Sequence, residues 1–365
     1  MIVTSVVIPG KYCTPGHRPR SLFRENNSGE IVRIEKVSFF GSYIGMYMVQ
    51  SITHSVLTLF IVEMSLRIWQ VGEARERFRY RLLVLILPFV MFPVFQLVNP
   101  DRGSFYFVED TALFSSLRWI NVEVFGVRPL FYLFFLVTGA VSFVVLLQEV
   151  VPIVRDWLSK PQQQEGEGTP AGSAIDGIVG EISAVLRIKK PSVFVIDDAN
   201  PVIYTTGTKE HAIIMSEPLL SVFSDRELRG ALAHEAAHIV RRSNITTLLV
   251  FLVRICMFYN PISLLEFRKL VQDDEQICDD ITVSVTRDSE ALASALRVFS
   301  LDVPHSETFR LSFVKEAIES SSHNLLLNER IERLENHVLI EYHPYGWVRY
   351  AASLAAIVGV SYFVV

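Results

Sequence analysis

The sequence predicts a mainly α membrane protein: transmembrane helices plus a mostly helical catalytic domain that carries a small β-sheet. Three observations predict it. Apolar runs long enough to span, or nearly span, a bilayer recur along the chain. Of the 365 residues, 50% are hydrophobic and only 20% are charged, less charge than a soluble domain of this length carries. Between the third apolar run and the last, the pattern turns largely helical, and there His234-Glu235-Ala236-Ala237-His238 stands on one predicted helix.

Residues 1–36 form a polar tail punctuated by Pro and Gly. The segment 37–153 holds three transmembrane helices and their loops, with apolar runs at 39–62, 82–98 and 129–147. Pro88 and Pro93 are expected to kink the second. Residues 154–172 read as a linker, most polar at 160–170. Residues 173–343 form the metal-binding domain. In it Ile175, Ile178, Val179, Ile182, Val185 and Leu186 recur at helical spacing. Runs 193–196 and 212–215 read as short strands, separated by turn-rich sequence around Asn200, Pro201 and Gly207. Ser224 and Glu227 form a capping box that starts a helix over 225–242. Leu228, Leu232 and Ile239 give that helix an apolar stripe, and Ala233, Ala236 and Ala237 leave room near its backbone for a substrate or a neighbouring helix. The apolar run 245–258 is short and contains Arg254, so membrane, membrane surface and protein interior all stay open, with embedding favoured. Residues 344–365 hold the last transmembrane helix, at 347–365.

Arg67, Arg75, Arg77, Arg79 and Arg81 crowd the connection between the first two spans, and positive residues in short loops stay cytoplasmic. A multi-pass protein of the cell (inner) membrane follows, with the catalytic domain cytoplasmic and the 99–128 loop outside. The basic tail (Arg18, Arg20, Arg24, Arg33, Lys36) argues the other way but is less dense. Three unpaired cysteines (Cys13, Cys256, Cys278) indicate no disulfide framework, and the start of the chain lacks the apolar stretch of a cleavable signal. A net charge of −5 gives no support for nucleic-acid binding, so the expected partners are the lipid bilayer and a protein or peptide substrate. Within the spans, Glu63 is expected to pair with Arg67, and His54 to be structural.

Histidines four apart project from one side of a helix, so His234 and His238 can reach one Zn2+ per chain. Glu235 then stands beside the ion as the base for a metal-activated water. A catalytic zinc takes three protein ligands, and the best third is Glu275 on a second helix. Asp279, four residues on, can accept a hydrogen bond from the outer nitrogen of a ligating histidine. Asp273, Asp274 and Asp280 read as surface charges. His323, Arg330 and His343 are the possible transition-state stabilisers, and sequence does not choose among them. The strand at 212–215 reads equally as a substrate-binding edge or as an ordinary core strand.

Together these residues resemble the gluzincin-type integral membrane metallopeptidases. The segment from Asp225 to Ile239 looks like two related families. One contains the CaaX prenyl endopeptidases and the bacterial heat-shock membrane protease. The other is that of the β-lactam sensor-transducers. Asn260-Pro261 followed by Glu275, Cys278 and Asp279 is similar to the sensor-transducer pattern, whereas the stretch from Arg330 to Leu334 looks like the first family. The resemblance covers roughly 175–335. It implies a zincin-type catalytic fold, zinc on His234, His238 and Glu275, catalysis by Glu235, and Asp279 behind the ligands. Two departures stand out: Leu264 or Leu265 fills the place where that family often has Trp, and the chain stops at Val365, so no penicillin-binding sensor domain and no antibiotic sensing are expected. The function expected is that of a zinc-dependent endopeptidase cutting protein substrates at the cytoplasmic side. Its rivals are a non-catalytic signalling protein that keeps the zinc fold, and a metal-dependent hydrolase of something other than peptide.

Overall fold

A computed structural model describes residues 23–25, 31–33, 39, 42–104, 106–147, 151, 168–198, 201–207, 210–300, 323–336 and 346–365. Residues 1–49 form one unit and 50–365 another. In the first, β1 (Phe23–Glu25) and β2 (Ile31–Arg33) pair antiparallel, so the polar tail carries a short ladder. The polar stretch 160–167 lies outside the described residues.

Helices α1 (Tyr43–Ile68) and α2 (Ala74–Val98) have 26 and 25 residues and are the two described helices long and apolar enough to cross a membrane. Both exceed the ~20 residues that a spanning helix needs. α2 starts eight residues earlier than the apolar run at 82 indicates, and it continues through Pro88 and Pro93. Arg75, Arg77, Arg79 and Arg81 therefore sit on its first two turns rather than in a loop. The reason is partly electrostatic. Arg77 Nε lies 3.0 Å from Asp273 Oδ1 and Arg81 Nε 2.9 Å from Asp273 Oδ2, so partners on another helix let the charged segment stay helical and packed. Glu63 pairs with Lys269 at 3.3 Å instead of with its neighbour Arg67.

After the one-turn α3 (Ser116–Ile120), α4 (Pro129–Val145) has 17 residues and exposes Leu133, Leu136 and Phe143. The sheet of the second unit has the order β3 (Thr169–Pro170), β4 (Ser192–Ile196), β6 (Ala212–Ser216), β5 (Ile203–Thr206). β6 is thus interior, parallel to β4 and antiparallel to β5, so the 212–215 strand is a core strand and not an edge. The turn-rich segment between the two expected strands contains the edge strand β5. The amphipathic helix α5 (Ser173–Leu186) lays Val179 and Ile182 onto Ile213, Met215, Leu232 and Ala236.

α6 (Glu217–Val222) leads into α7 (Asp225–Arg241), whose capping box is formed: the Ser224 N–H donates to Glu227 Oε2 at 2.8 Å, and the Ser224 hydroxyl accepts from the Glu227 N–H. Ala233, Ala236 and Ala237 are fully buried, and the space beside them is filled by neighbouring elements. α8 (Ser243–Cys256) and α9 (Pro261–Thr286) make a hairpin. At its turn, the Asn260 side chain accepts from the Ile262 N–H at 3.0 Å and donates to Ser55 Oγ at 2.7 Å, while Tyr259 and Ser51 hydroxyls lie 2.7 Å apart. Ser55 is ~20 Å below the Ile68 end of α1 at ~1.5 Å per residue. The run 245–258 therefore descends beside α2, reaches α1 at the turn, and is brought back by α9 to the end where it began. It exposes Ile245, Leu248, Leu249 and Leu252 and buries Arg254 against the Phe267 ring at 4.7 Å.

α10 (Ser289–Ser300) packs on α7, and α11 (His323–Glu335) packs on α10 through Leu292, Leu296, Leu327 and Ile331. α12 (Gly346–Tyr362) lies against α1 and α2, with the Ser353 and Ser65 hydroxyls 2.8 Å apart. It ends before the apolar run does. Arg102 takes its last carbonyls (Tyr362 at 2.9 Å, Ser361 at 3.1 Å), and 363–365 continues as extended chain along Leu113 and Phe114.

Because Asn260 is fully buried and both caps α9 and bonds α1, Asn260→Ala leaves Ser55 and the α9 end unpaired. The expected loss is about 2 kcal/mol. Thermal unfolding in detergent micelles should show a midpoint several degrees lower, and an unchanged midpoint would exclude this turn as the anchor of the hairpin.

Candidate metal centre

α7 and α9 cross so that three donor atoms converge. His234, His238 and Glu275 each offer one ligand atom, all within 4.8 Å of one another, and all three residues are buried. His234 Nε2 lies 3.4 Å from Glu275 Oε2, and His238 Nε2 lies 3.7 Å from Glu275 Oε1. Tetrahedral zinc with bonds near 2.0–2.1 Å holds its ligand atoms ~3.3 Å apart. The donors present therefore suit a zinc ion in chemistry and nearly in spacing.

The far side of each imidazole is also held. His234 Nδ1 is 3.1 Å from Asp279 Oδ1, which leaves Nε2 as the nitrogen facing Glu275. His238 Nδ1 lies 3.4 Å from Cys278 Sγ. Asp279, with no solvent exposure, accepts the Arg330 fork: Nε to Oδ2 and Nη2 to Oδ1, both at 2.8 Å. Arg330 Nη1 reaches Glu275 Oε2 at 3.1 Å. Glu235 faces the sheet, where Thr205 Oγ1 donates to its Oε2 at 2.7 Å.

These contacts set the protonation states. Burial pushes the His234 imidazole down, but hydrogen bonds to Asp279 and Glu275 outweigh it and lift its pKa to about 9. Burial alone would raise Asp279, but the Arg330 guanidinium and His234 hold its carboxyl well below the usual carboxylate range. Three carboxyl groups, Glu235, Glu275 and Asp279, thus gather around one guanidinium and the imidazoles, a donor set that suits a divalent cation.

The structure brings His234, His238, Glu275, Asp279 and Arg330 into one cluster with Glu235 beside it. Arg330 grips the carboxylates, so it acts on the ligands' positions and is not aimed at an open reaction space. His323 opens α11, but its side chain lies outside the described residues, as does all of His343. Asp273 and Asp274 are 4% exposed and so are not surface charges: Asp273 holds Arg77 and Arg81, and Asp274 accepts from Arg241 at 2.5 Å. Asp280, partly exposed, pairs with Arg333. Sequence reasoning missed Thr205, on a strand hidden in turn-rich sequence, and Cys278. The four-residue spacing of Asp274 and Cys278 was the available signal for the latter. It puts a second group, His238, Asp274 and Cys278, within the same reach.

The chain combines two apolar helices of spanning length with a buried His-His-Glu cluster. Residues 131–331, more than half of the chain, match the family described as BlaR1 peptidase M56, and the chain belongs to that family. The chain is also similar to proteins named Protease HtpX homolog. It is 39% identical over 67 residues to that of Ralstonia pickettii (strain 12J), covering 18% of this chain and 23% of the relative. With that of Caldanaerobacter subterraneus subsp. tengcongensis it shares 24% identity over 157 residues, 40% of this chain and 51% of the relative. The chain thus spans from 23% to 51% of these relatives' length. Peptidases of the matched family are typically zinc-dependent, in keeping with the donor set.

Because His234 without metal stays protonated up to about pH 9, zinc must displace that proton at neutral pH. Apparent zinc affinity should therefore rise about tenfold per pH unit between pH 6 and 8, measured by competition with a chromophoric chelator. The proton on His234 stabilises the metal-free fold below pH 6.5, and that contribution is lost as pH rises through 9. Asp279→Asn removes the main partner, so it should flatten the affinity slope; an identical slope in both proteins would refute the assignment.

Proposed function

We propose that this chain is a zinc-dependent membrane endopeptidase that cleaves protein substrates at the cytoplasmic side, with His234, His238 and Glu275 holding the ion and Glu235 as general base. The observation that carries the reading is the convergence of three neutral-or-anionic donors at ligand spacing, next to a carboxylate held by Thr205. Zinc, when bound there, supplies a Lewis acid that brings the pKa of water towards 7. The chain's own residues do the rest. Thr205 keeps the Glu235 carboxylate oriented through Oε2, and that carboxylate is the group that accepts a proton from water and returns it to a leaving amine. Asp279 fixes the His234 tautomer, and Arg330 fixes Asp279 and Glu275.

An extended peptide adding to the sheet would find its edge at β5, where the strand order ends. Thr205 lies on that strand, so a substrate strand there passes the base. The cytoplasmic assignment is supported by Arg67, Arg75 and Arg79, which crowd the same end of α1 and α2 as the metal centre. Arg77 and Arg81 count for less, because acids of α9 neutralise them.

Glu235→Gln should keep one zinc per chain by elemental analysis and lose cleavage 10²–10⁴-fold. Terminal proteomics of membranes carrying the wild type or this variant should find new protein termini only with the wild type. Unchanged phenotype in the variant would favour a signalling role without turnover, and lost activity without new termini would favour a non-peptide substrate.

A further inference from the structure

A groove of about 300 Å³ opens away from the metal centre, between α1 and the outer face of α9. Its walls divide by chemistry along the helix axis. Leu59, Ile262 and Leu265 form the deep part, and Leu265 is 57% exposed although apolar. Arg268, Lys269 and Gln272 form the shallow part, towards the end of α1. Glu63, the partner of Lys269, is five residues from that end, or ~8 Å at ~1.5 Å per residue, and Leu59 is one turn deeper. Cations at interfacial depth above an apolar trough match the layout of a phospholipid, with its phosphate at the surface and its acyl chains below.

The charges around the groove are unequal. Glu266, the one acid in its lining, is buried and already shared between Lys269 at 2.7 Å and Arg81 at 3.5 Å. Arg268 has no ion pair or hydrogen bond among the described residues, and its Nε is buried without a partner. Its charged neighbour across the hairpin is another cation, Arg254. A buried guanidinium N–H facing a second arginine is costly unless an anion answers it.

We propose that this groove binds one anionic phospholipid, its phosphate on Arg268 and Lys269 and an acyl chain over Leu59, Ile262 and Leu265. The lipid clamps α1 to α9, the helix that presents Glu275 two turns further on. The proposal rests on the chain lying in a bilayer but not on any peptidase activity.

The test uses the full chain in nanodiscs of phosphatidylcholine alone or with phosphatidylglycerol, reading the thermal midpoint and the lipid retained in native mass spectrometry. The wild type should unfold several degrees higher with phosphatidylglycerol and retain one molecule of it. Arg268→Gln should abolish both effects, and Arg268→Lys should keep most of them. Leu265→Asn, at an exposed position that the fold tolerates, should lower retention even if Arg268→Gln fails to fold. Arg75→Gln, on an exposed interfacial arginine away from the groove, should respond like wild type. Equal responses of wild type and Leu265→Asn, or loss in Arg75→Gln as large as in Arg268→Gln, would overturn the site. Stabilisation by millimolar inorganic phosphate in phosphatidylcholine discs, equal to that by phosphatidylglycerol, would overturn the lipid as occupant. Incorporation into discs without headgroup preference would sink this site while leaving the membrane reading intact.

Discussion

The contact on which the metal centre depends is the one between Asp279 and its two partners, His234 Nδ1 and the Arg330 fork. A carboxylate with no solvent exposure is several kcal/mol out of place unless its charge is answered. Here it is answered from both sides, and the answer aligns the site. The bond to His234 turns Nε2 towards Glu275, and Arg330, by also touching Glu275, limits where that carboxylate can go. One guanidinium thus orders two carboxylates and, through them, an imidazole. The cluster keeps excess negative charge, and the same arrangement that makes it costly alone makes it a place for a divalent cation.

Much of this was legible in the chain because helical spacing is a short-range rule. His234 and His238, and then Glu275 and Asp279, are each four apart, and α7 carries its start signal at Ser224 and Glu227. What spacing does not carry is which face of α9 meets which neighbour. The run from Asp273 to Asp280 contains four aspartates of similar local sequence, yet one is fully buried behind a ligand, two are buried against arginines of α2 and α7, and one is partly exposed. The partners lie up to 196 positions away, beyond any local pattern. The edge strand β5 was hidden for the opposite reason. Its four residues follow a proline and precede Gly207 at φ 88°, so local composition says turn, and only pairing with β6 makes it a strand.

Hydropathy misplaced the ends of α2 and α12 for a common reason: it scores residues and not partners. α2 gains two charged turns because α9 supplies acids, and α12 loses its last three residues because Arg102 claims its terminal carbonyls. α8 reads as a marginal span, and its companion α9 carries the chain back to the end where α8 began. α8 exposes three leucines, and its return lies in Asn260, a polar residue that no hydrophobicity window rewards.

That hairpin is the geometric solution to a register problem. Glu275 must stand opposite two imidazoles, and a slip of α9 by one residue would turn it by ~100° and remove it from the centre. Packing of apolar side chains alone tolerates small slips, but three directional anchors do not. Asn260 fixes the start of α9 to α1, Asp273 fixes its middle to Arg77 and Arg81, and Asp279 fixes it to Arg330. Two of these flank Glu275, two residues before it and four after, on different faces of the helix. Rotation that relieves one strains the other. The apolar scaffold and the metal centre are in this sense one construction: the helices long enough to cross a bilayer hold the polar pegs that set where the third donor points.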